Sequence, residues 1–193
     1  MLPFQESCHG SCSFAGDLET EERMIYGIRG VHVKALVVGI GNDLRGDDDA
    51  GLAVARMMKR EQPAGVSIVE LNNDVTALID HLPGFDVAMI IDATQSGSPP
   101  GTIHRFDAST IPLPETPSTR STHGMTVGSV LELARIQQQL PKKVLVYGIE
   151  GKQFSHGSSL TAEVGRAVRI VVQMIYADLG AEAQSGSLEM INR

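Results

Sequence analysis

Cysteine is nearly absent from this chain of 193 residues: Cys8 and Cys12 are the whole inventory. Two cysteines four residues apart cannot staple a domain of this length, so a reducing, cytoplasmic compartment is expected. With His9 between them they could hold a soft metal ion. Zinc sites need four ligands, however, and no second Cys/His pair follows, so two free thiols are the plainer reading. Basic runs are also missing. The 16 Lys and Arg are outnumbered by 23 Asp and Glu, giving a net charge of −7. No face of such a chain collects enough positive charge to hold a nucleic acid or an anionic membrane. Its longest apolar runs are only a few residues, against roughly 18 to 20 for a bilayer crossing. Residues 1–23 carry acids and polar side chains where a secretory signal needs a basic then an apolar region, so no leader is expected. There is no H-E-x-x-H helix of an ordinary zinc peptidase and no serine nucleophile elbow. No internal repeat is visible. With 42% hydrophobic residues, what remains is one globular domain able to bury a core.

Residues 1–33 show no sustained period and read as a variable N-terminal extension, with a strand near residues 25–33. From Lys34 the pattern changes. Ala35-Leu36-Val37-Val38-Gly39-Ile40 is a short continuous apolar run, the mark of a strand buried on both faces. A helix is predicted over residues 49–61, ending in Lys59 and Arg60 as a helix C-terminus prefers. The alternation then repeats. Val66 to Leu71 is a strand, Val75 to His81 a short helix stopped by Pro83, and Asp86 to Asp92 a second buried strand. Gly101 to Phe106 reads as an edge or hairpin strand before a Pro/Ser/Thr-rich loop, residues 108–122. A helix over Thr126 to Leu140 and a last buried strand over Lys143 to Ile149 follow. Val164, Val168, Val171, Val172, Ile175 and Leu179 then form the stripe of a long amphipathic helix.

Strands alternating with helices imply crossover connections. The predicted fold is a three-layer α/β/α sandwich with a mostly parallel, twisted sheet and one edge or antiparallel strand. Its core domain spans residues 34–180, with a tail over residues 181–193. No strong apolar stripe is left unassigned, which predicts a monomer. Ligands of such folds gather beyond the C-terminal ends of the strands, here after residues 40, 92 and 149 and under any long loop above them.

The first strand runs into Gly39-Ile40-Gly41-Asn42-Asp43-Leu44-Arg45-Gly46-Asp47-Asp48-Asp49-Ala50-Gly51. This opens like a dinucleotide fingerprint, but Leu44 stands where the third glycine belongs. Three aspartates at the helix start would meet a pyrophosphate with their own charge. A carboxylate cluster suits a cation instead. Helix capping and dipole compensation would account for one or two of these acids without any function. Asp92 ends a buried strand and is either a turn-former bonding its own backbone or a second acid aimed into the same crevice. His123, in Ser121-Thr122-His123, closes the long loop; it is either solvent-exposed or, as a neutral imidazole, a metal ligand. Two carboxylates and one imidazole brought together would suit a divalent ion such as nickel or zinc with open positions left for chemistry.

These motifs, in this order, resemble those of the hydrogenase maturation endopeptidases, the processing peptidases of nickel–iron hydrogenase large subunits. The likeness runs from about residue 34 to 180. It rests on Gly39 to Gly51, on Ile91-Asp92-Ala93, on Ser121-Thr122-His123 before a helix, and on Pro141-Lys142-Lys143 leading to Gly148-Ile149. The resemblance implies metal-binding, catalytic positions at Asp48, Asp92 and His123. Asp48 stands where some members have Glu, and Asp49 where a glycine often follows. It further implies a cytoplasmic endopeptidase that recognises nickel in the large-subunit precursor and removes a C-terminal extension once, the nickel arriving with the substrate. The competing expectation is a non-catalytic nickel-binding or precursor-holding chaperone module using the same ligands. A nucleotide-binding protein rests on Gly39 and Gly41 alone.

Overall fold

A computed structural model of the chain describes residues 33–113 and 125–191. The expected strand near residues 25–33 falls almost wholly outside the described residues, and Cys8, His9 and Cys12 lie outside them too. Five strands form one sheet: β1 (Ala35–Gly41), β2 (Val66–Asn72), β3 (Val87–Thr94), β4 (Ile103–Asp107) and β5 (Lys143–Glu150). Their order is β2-β1-β3-β5-β4. The first four strands in that order are parallel, and β4 is the antiparallel edge, pairing Ile103 with Ile149 and Phe106 with Val146. The helices are α1 (Ala50–Glu61), α2 (Leu78–His81), α3 (Val127–Ile136) and α4 (Ala162–Ile191).

The continuous apolar runs mean what two-sided burial requires. Every residue of β1 is buried, and alternate side chains enter two separate cores. Val37, Met89, Ile91 and Tyr147 pack under α1 and α4, together with Val54, Met58, Val168 and Ile175. Leu36, Val38, Ile90 and Val146 pack under α2 and α3, together with Leu78, Val130 and Leu131. Three layers follow from this period-two sorting. None of the described helices is long and apolar enough to cross a membrane.

Three elements differ in extent from their sequence reading, each for a local reason. The helix expected from residue 75 is confined to Leu78–His81, because the Asp74 carboxylate takes the amides of Thr76 and Ala77 into a turn. Thr126 caps α3 by accepting from the Ser129 amide at 3.1 Å, and the helix stops at Ile136 instead of Leu140 as Gln138 turns to φ 57°. β3 continues past Asp92 to Thr94, so Asp92 lies within a paired strand. In addition, α4 runs on beyond residue 180, to Ile191.

One close approach sets the height of α1 over the sheet. A Cβ at Gly51 would stand 2.2 Å from the Ile40 carbonyl oxygen and 2.4 Å from that of Ile91. The first turn of α1 therefore lies directly on β1 and β3, and the acidic turn before it is held over their ends. Gly51→Ala should lower stability by about 2 kcal/mol or more, seen as a thermal midpoint reduced by roughly 5 °C.

Candidate active site

The chain leaves β1 and doubles back at once. A Cβ at Gly41 would lie 1.9 Å from the Asp48 carbonyl oxygen, and the Asn42 amide donates to that same oxygen at 3.0 Å. This closure brings a 3₁₀ turn, Gly46–Asp49, over the sheet just ahead of α1. Its three aspartates have three different environments. None caps the turn or α1 with its side chain, so the capping explanation does not hold.

Asp47 is fully buried. Its carboxylate accepts from the amides of Lys152 (2.8 Å), Gln153 (2.9 Å) and Thr161 (2.7 Å) and from the Thr161 hydroxyl (3.1 Å). The Asp47 amide donates in return to the Gln153 carbonyl at 2.8 Å. Asp49 is paired with Arg56 at 2.9 Å, and Arg56 also holds Glu70 at 2.8 Å and Asp43 at 3.3 Å. Asp48 makes no side-chain hydrogen bond or ion pair among the described residues. Burial raises its carboxyl above the ordinary range, only partly opposed by the Arg45 charge.

Asp92 rises from β3, paired in register with Gly148. Burial, then the neighbouring charge of Asp48, push its carboxyl up to about 7, against a single stabilising bond from the Ala93 amide at 2.8 Å. Asp92 does bond its own backbone, as a turn-former would, but inside a continuing strand. Asp92 thus lies within the field of the Asp48 carboxylate, which the sequence reading had aimed at the same crevice. His123, the third predicted position, lies outside the described residues, as does the long loop from residue 114 to 122. Among the described residues no group of three His, Cys, Asp or Glu could hold a metal ion. What is on view is a pair of carboxylates that costs free energy to keep ionised and that a divalent cation would relieve.

A cavity of about 720 Å³ opens beside Asp92, lined by Asp92, His104, Phe106, Leu113, Val127 and Gly148 among others. Behind Ser96, one of the lining residues, the buried Glu150 carboxylate accepts from the Ser96 amide (3.0 Å), the Ser96 hydroxyl (2.8 Å) and the Gly97 amide (2.8 Å). Burial alone would push Glu150 up; these donors outweigh it and hold the carboxyl below its usual range. His104 Nε2 stands 3.6 Å from the same carboxylate. Sequence reasoning weighed Asp47 only as one of three acids in a run, and passed over Arg56, His104 and Glu150. The one local signal was an acid directly after the apolar run Val144 to Ile149, the same pattern that drew attention to Asp92.

Fold and site define a three-layer α/β protein whose mostly parallel sheet carries at its mouth two carboxylates with no ion pair among the described residues. The profile of the hydrogenase maturation protease family matches residues 52–178. The chain belongs to that family. Asp92 falls inside the matched stretch and Asp48 just before it. The hydrogenase expression/formation protein HupD of Thiocapsa roseopersicina is 27% identical over 142 residues, an alignment covering 72% of this chain and 64%, under two thirds, of that protein. Among solved structures, the hydrogenase maturating endopeptidase HybD of E. coli superposes with a TM-score of 0.64 at 23% identity, covering 77% of this chain and 93% of the other. The NiFe hydrogenase maturation protease HybD of Thermococcus kodakarensis gives 0.57 at 25% identity, covering 74% and 96%. The predicted mostly parallel sheet with one antiparallel edge is the fold these proteins share.

Two outcomes follow from the acids themselves. Asp47→Ala leaves the four donors of its buried carboxylate without their acceptor and should cost about 3 kcal/mol or more in urea unfolding. For Asp92 the folded value of about 7 exceeds the ordinary 3.8, so the native state holds its proton more tightly than the unfolded chain. That contribution is complete below about pH 4 and is lost as pH rises through 7. Asp92→Asn, which has no proton to lose, should match wild type near pH 4. At pH 8 without metal it should be more stable by up to about 4 kcal/mol, read as thermal midpoints across pH.

Proposed function

We propose that this protein is a processing endopeptidase that recognises nickel in the precursor of a nickel–iron hydrogenase large subunit and removes the precursor's C-terminal extension. In this reading it works in the cytoplasm as a monomer, and Asp48, Asp92 and His123 hold the ion, which arrives with the precursor. The observation that carries the reading is the Asp48–Asp92 pair: two adjacent carboxylates, neither neutralised by an ion pair among the described residues, in a member of a protease family. Hard oxygen donors with an imidazole suit a borderline divalent ion such as nickel. When bound, the ion supplies Lewis-acid chemistry for amide hydrolysis.

The chain's own residues have separable tasks. Asp47 clamps the turn to the segment after β5, which fixes the direction of Asp48. Arg56 occupies Asp49 and keeps it out of the crevice. Asp92, titrating near 7, keeps a proton on its carboxyl for part of the time at neutral pH and releases it when a cation takes its place. A precursor-holding module would use the same acids, but membership of a protease family favours cleavage.

Incubation with a nickel-loaded large-subunit precursor should shorten it by one C-terminal peptide, visible as a mass loss. Asp48→Ala, Asp92→Ala and His123→Ala should each lower the rate by at least about a hundredfold. Asp49→Asn should retain cleavage, since its carboxylate is engaged elsewhere. A stable complex with the wild type and no lost peptide would return the holding module to first place.

A further inference from the structure

Gly148 is an anomaly in β5. The side chains of Val144 and Val146, on the same face of the strand, are buried in the α3 core, and strand interiors favour such β-branched residues. Glycine weakens a strand unless a bulge, a bend or the approach of another backbone requires it. Gly39 and Gly51 meet that condition inside the protein, because a Cβ at either would stand 2.2 Å from a backbone oxygen. Gly148 does not. Its φ is not positive, and a Cβ there would find Thr94 Cγ2 at 3.4 Å and His104 Cβ at 3.7 Å, which is ordinary contact. The fold would admit alanine at this position, yet the site is bare and partly exposed within a buried strand.

The register shows what the bare position faces. Asp92 pairs with Gly148 from one side and His104 pairs with Gly148 from the other, so the three form one row across β3, β5 and β4. Residues directly opposite project to the same face of a sheet, and adjacent strands are about 4.8 Å apart. Asp92 and His104 thus flank a gap the width of one extended chain, floored by Gly148 and opening into the cavity. Because β5 is bonded on both sides, an occupant lies face-on over Gly148 and bonds to the flanking groups instead. His104 is held at the edge of the gap: its Nε2 stands 3.6 Å from Glu150 and 3.5 Å from Ser96 Oγ, and its ring stacks on Phe106 with centroids 6.4 Å apart. Leu113 and Val127 give the cavity apolar walls, and among the described residues no Lys or Arg lines it, which disfavours an acidic occupant.

We infer that Gly148 is the floor of the substrate channel: the main chain of the precursor segment carrying the scissile bond crosses it between Asp92 and His104. The inference rests on the endopeptidase reading and adds a specificity-determining residue to it. Gly148→Ala puts one methyl group in the path of that chain while leaving the Asp48–Asp92 pair intact. With a nickel-loaded large-subunit precursor as substrate, this variant should keep the wild-type thermal midpoint to within a few degrees and should bind nickel alone as wild type does. Its KM should rise by about tenfold or more, and kcat should change less. In the wild type, excess precursor should protect His104 from diethylpyrocarbonate, read by peptide mass spectrometry. Unchanged KM in a folded Gly148→Ala, or undiminished labelling of His104, overturns the inference. So does a Gly148→Ala that fails to fold, because the glycine would then serve packing. If the wild type itself cuts nothing, the endopeptidase reading falls; the channel is then judged by precursor affinity, which Gly148→Ala must weaken for it to stand.

Discussion

The carboxylate of Asp47 gathers three backbone amides and one hydroxyl from the segment between β5 and α4, while its own amide reaches back to Gln153. Two loops more than a hundred residues apart are thereby joined over the end of the sheet. A buried carboxylate survives only where donors replace its lost water, and here four do so. The consequence reaches beyond stability. With Asp47 turned inward and Asp49 drawn to Arg56, the short 3₁₀ turn leaves Asp48 as the one carboxylate of the run without a side-chain partner among the described residues, set against Asp92. Three consecutive acids become a clamp, a surface ion pair and a carboxyl raised by burial because three different environments receive them.

The same arrangement makes the site costly. Asp48 and Asp92 both lie above the ordinary carboxyl range, chiefly through burial, and Asp92 carries the additional repulsion of its neighbour. Electrostatic free energy of this kind is what a nearby positive charge would relieve. Two rigid devices hold the repelling groups in place: the seat of Gly51 on β1 and β3, and the register of β3 against β5. Beside them the sheet is left open at Gly148. The cleft thus combines an acidic rim held by several contacts with a floor that carries no side chain at Gly148.

Much of this was legible in the residues. Continuous apolar runs ending at Ile40, Asp92 and Ile149 announced strands covered on both faces, and the Pro-Pro-Gly turn before Ile103 announced an edge strand. Those signals are local, and burial enforces them. The limits of α2 and α3 were less legible, because they depend on one Asx turn at Asp74 and one left-handed residue at Gln138. His104 and Glu150 gave little notice, since their meeting requires β4 to turn back against β5.

By itself, then, the sequence determined the three layers and the mostly parallel sheet, because period-two and period-3.6 patterning admit few other ways to bury so many Val, Ile and Leu. Only the tertiary structure decided which aspartate does what. Asp47, Asp48 and Asp49 are chemically identical neighbours, and their roles are assigned by what approaches them: amides from after β5, a carboxylate from β3, a guanidinium from α1. It also decided that a glycine in β5 lies between Asp92 and His104, since that row belongs to three strands at once and to no stretch of the chain.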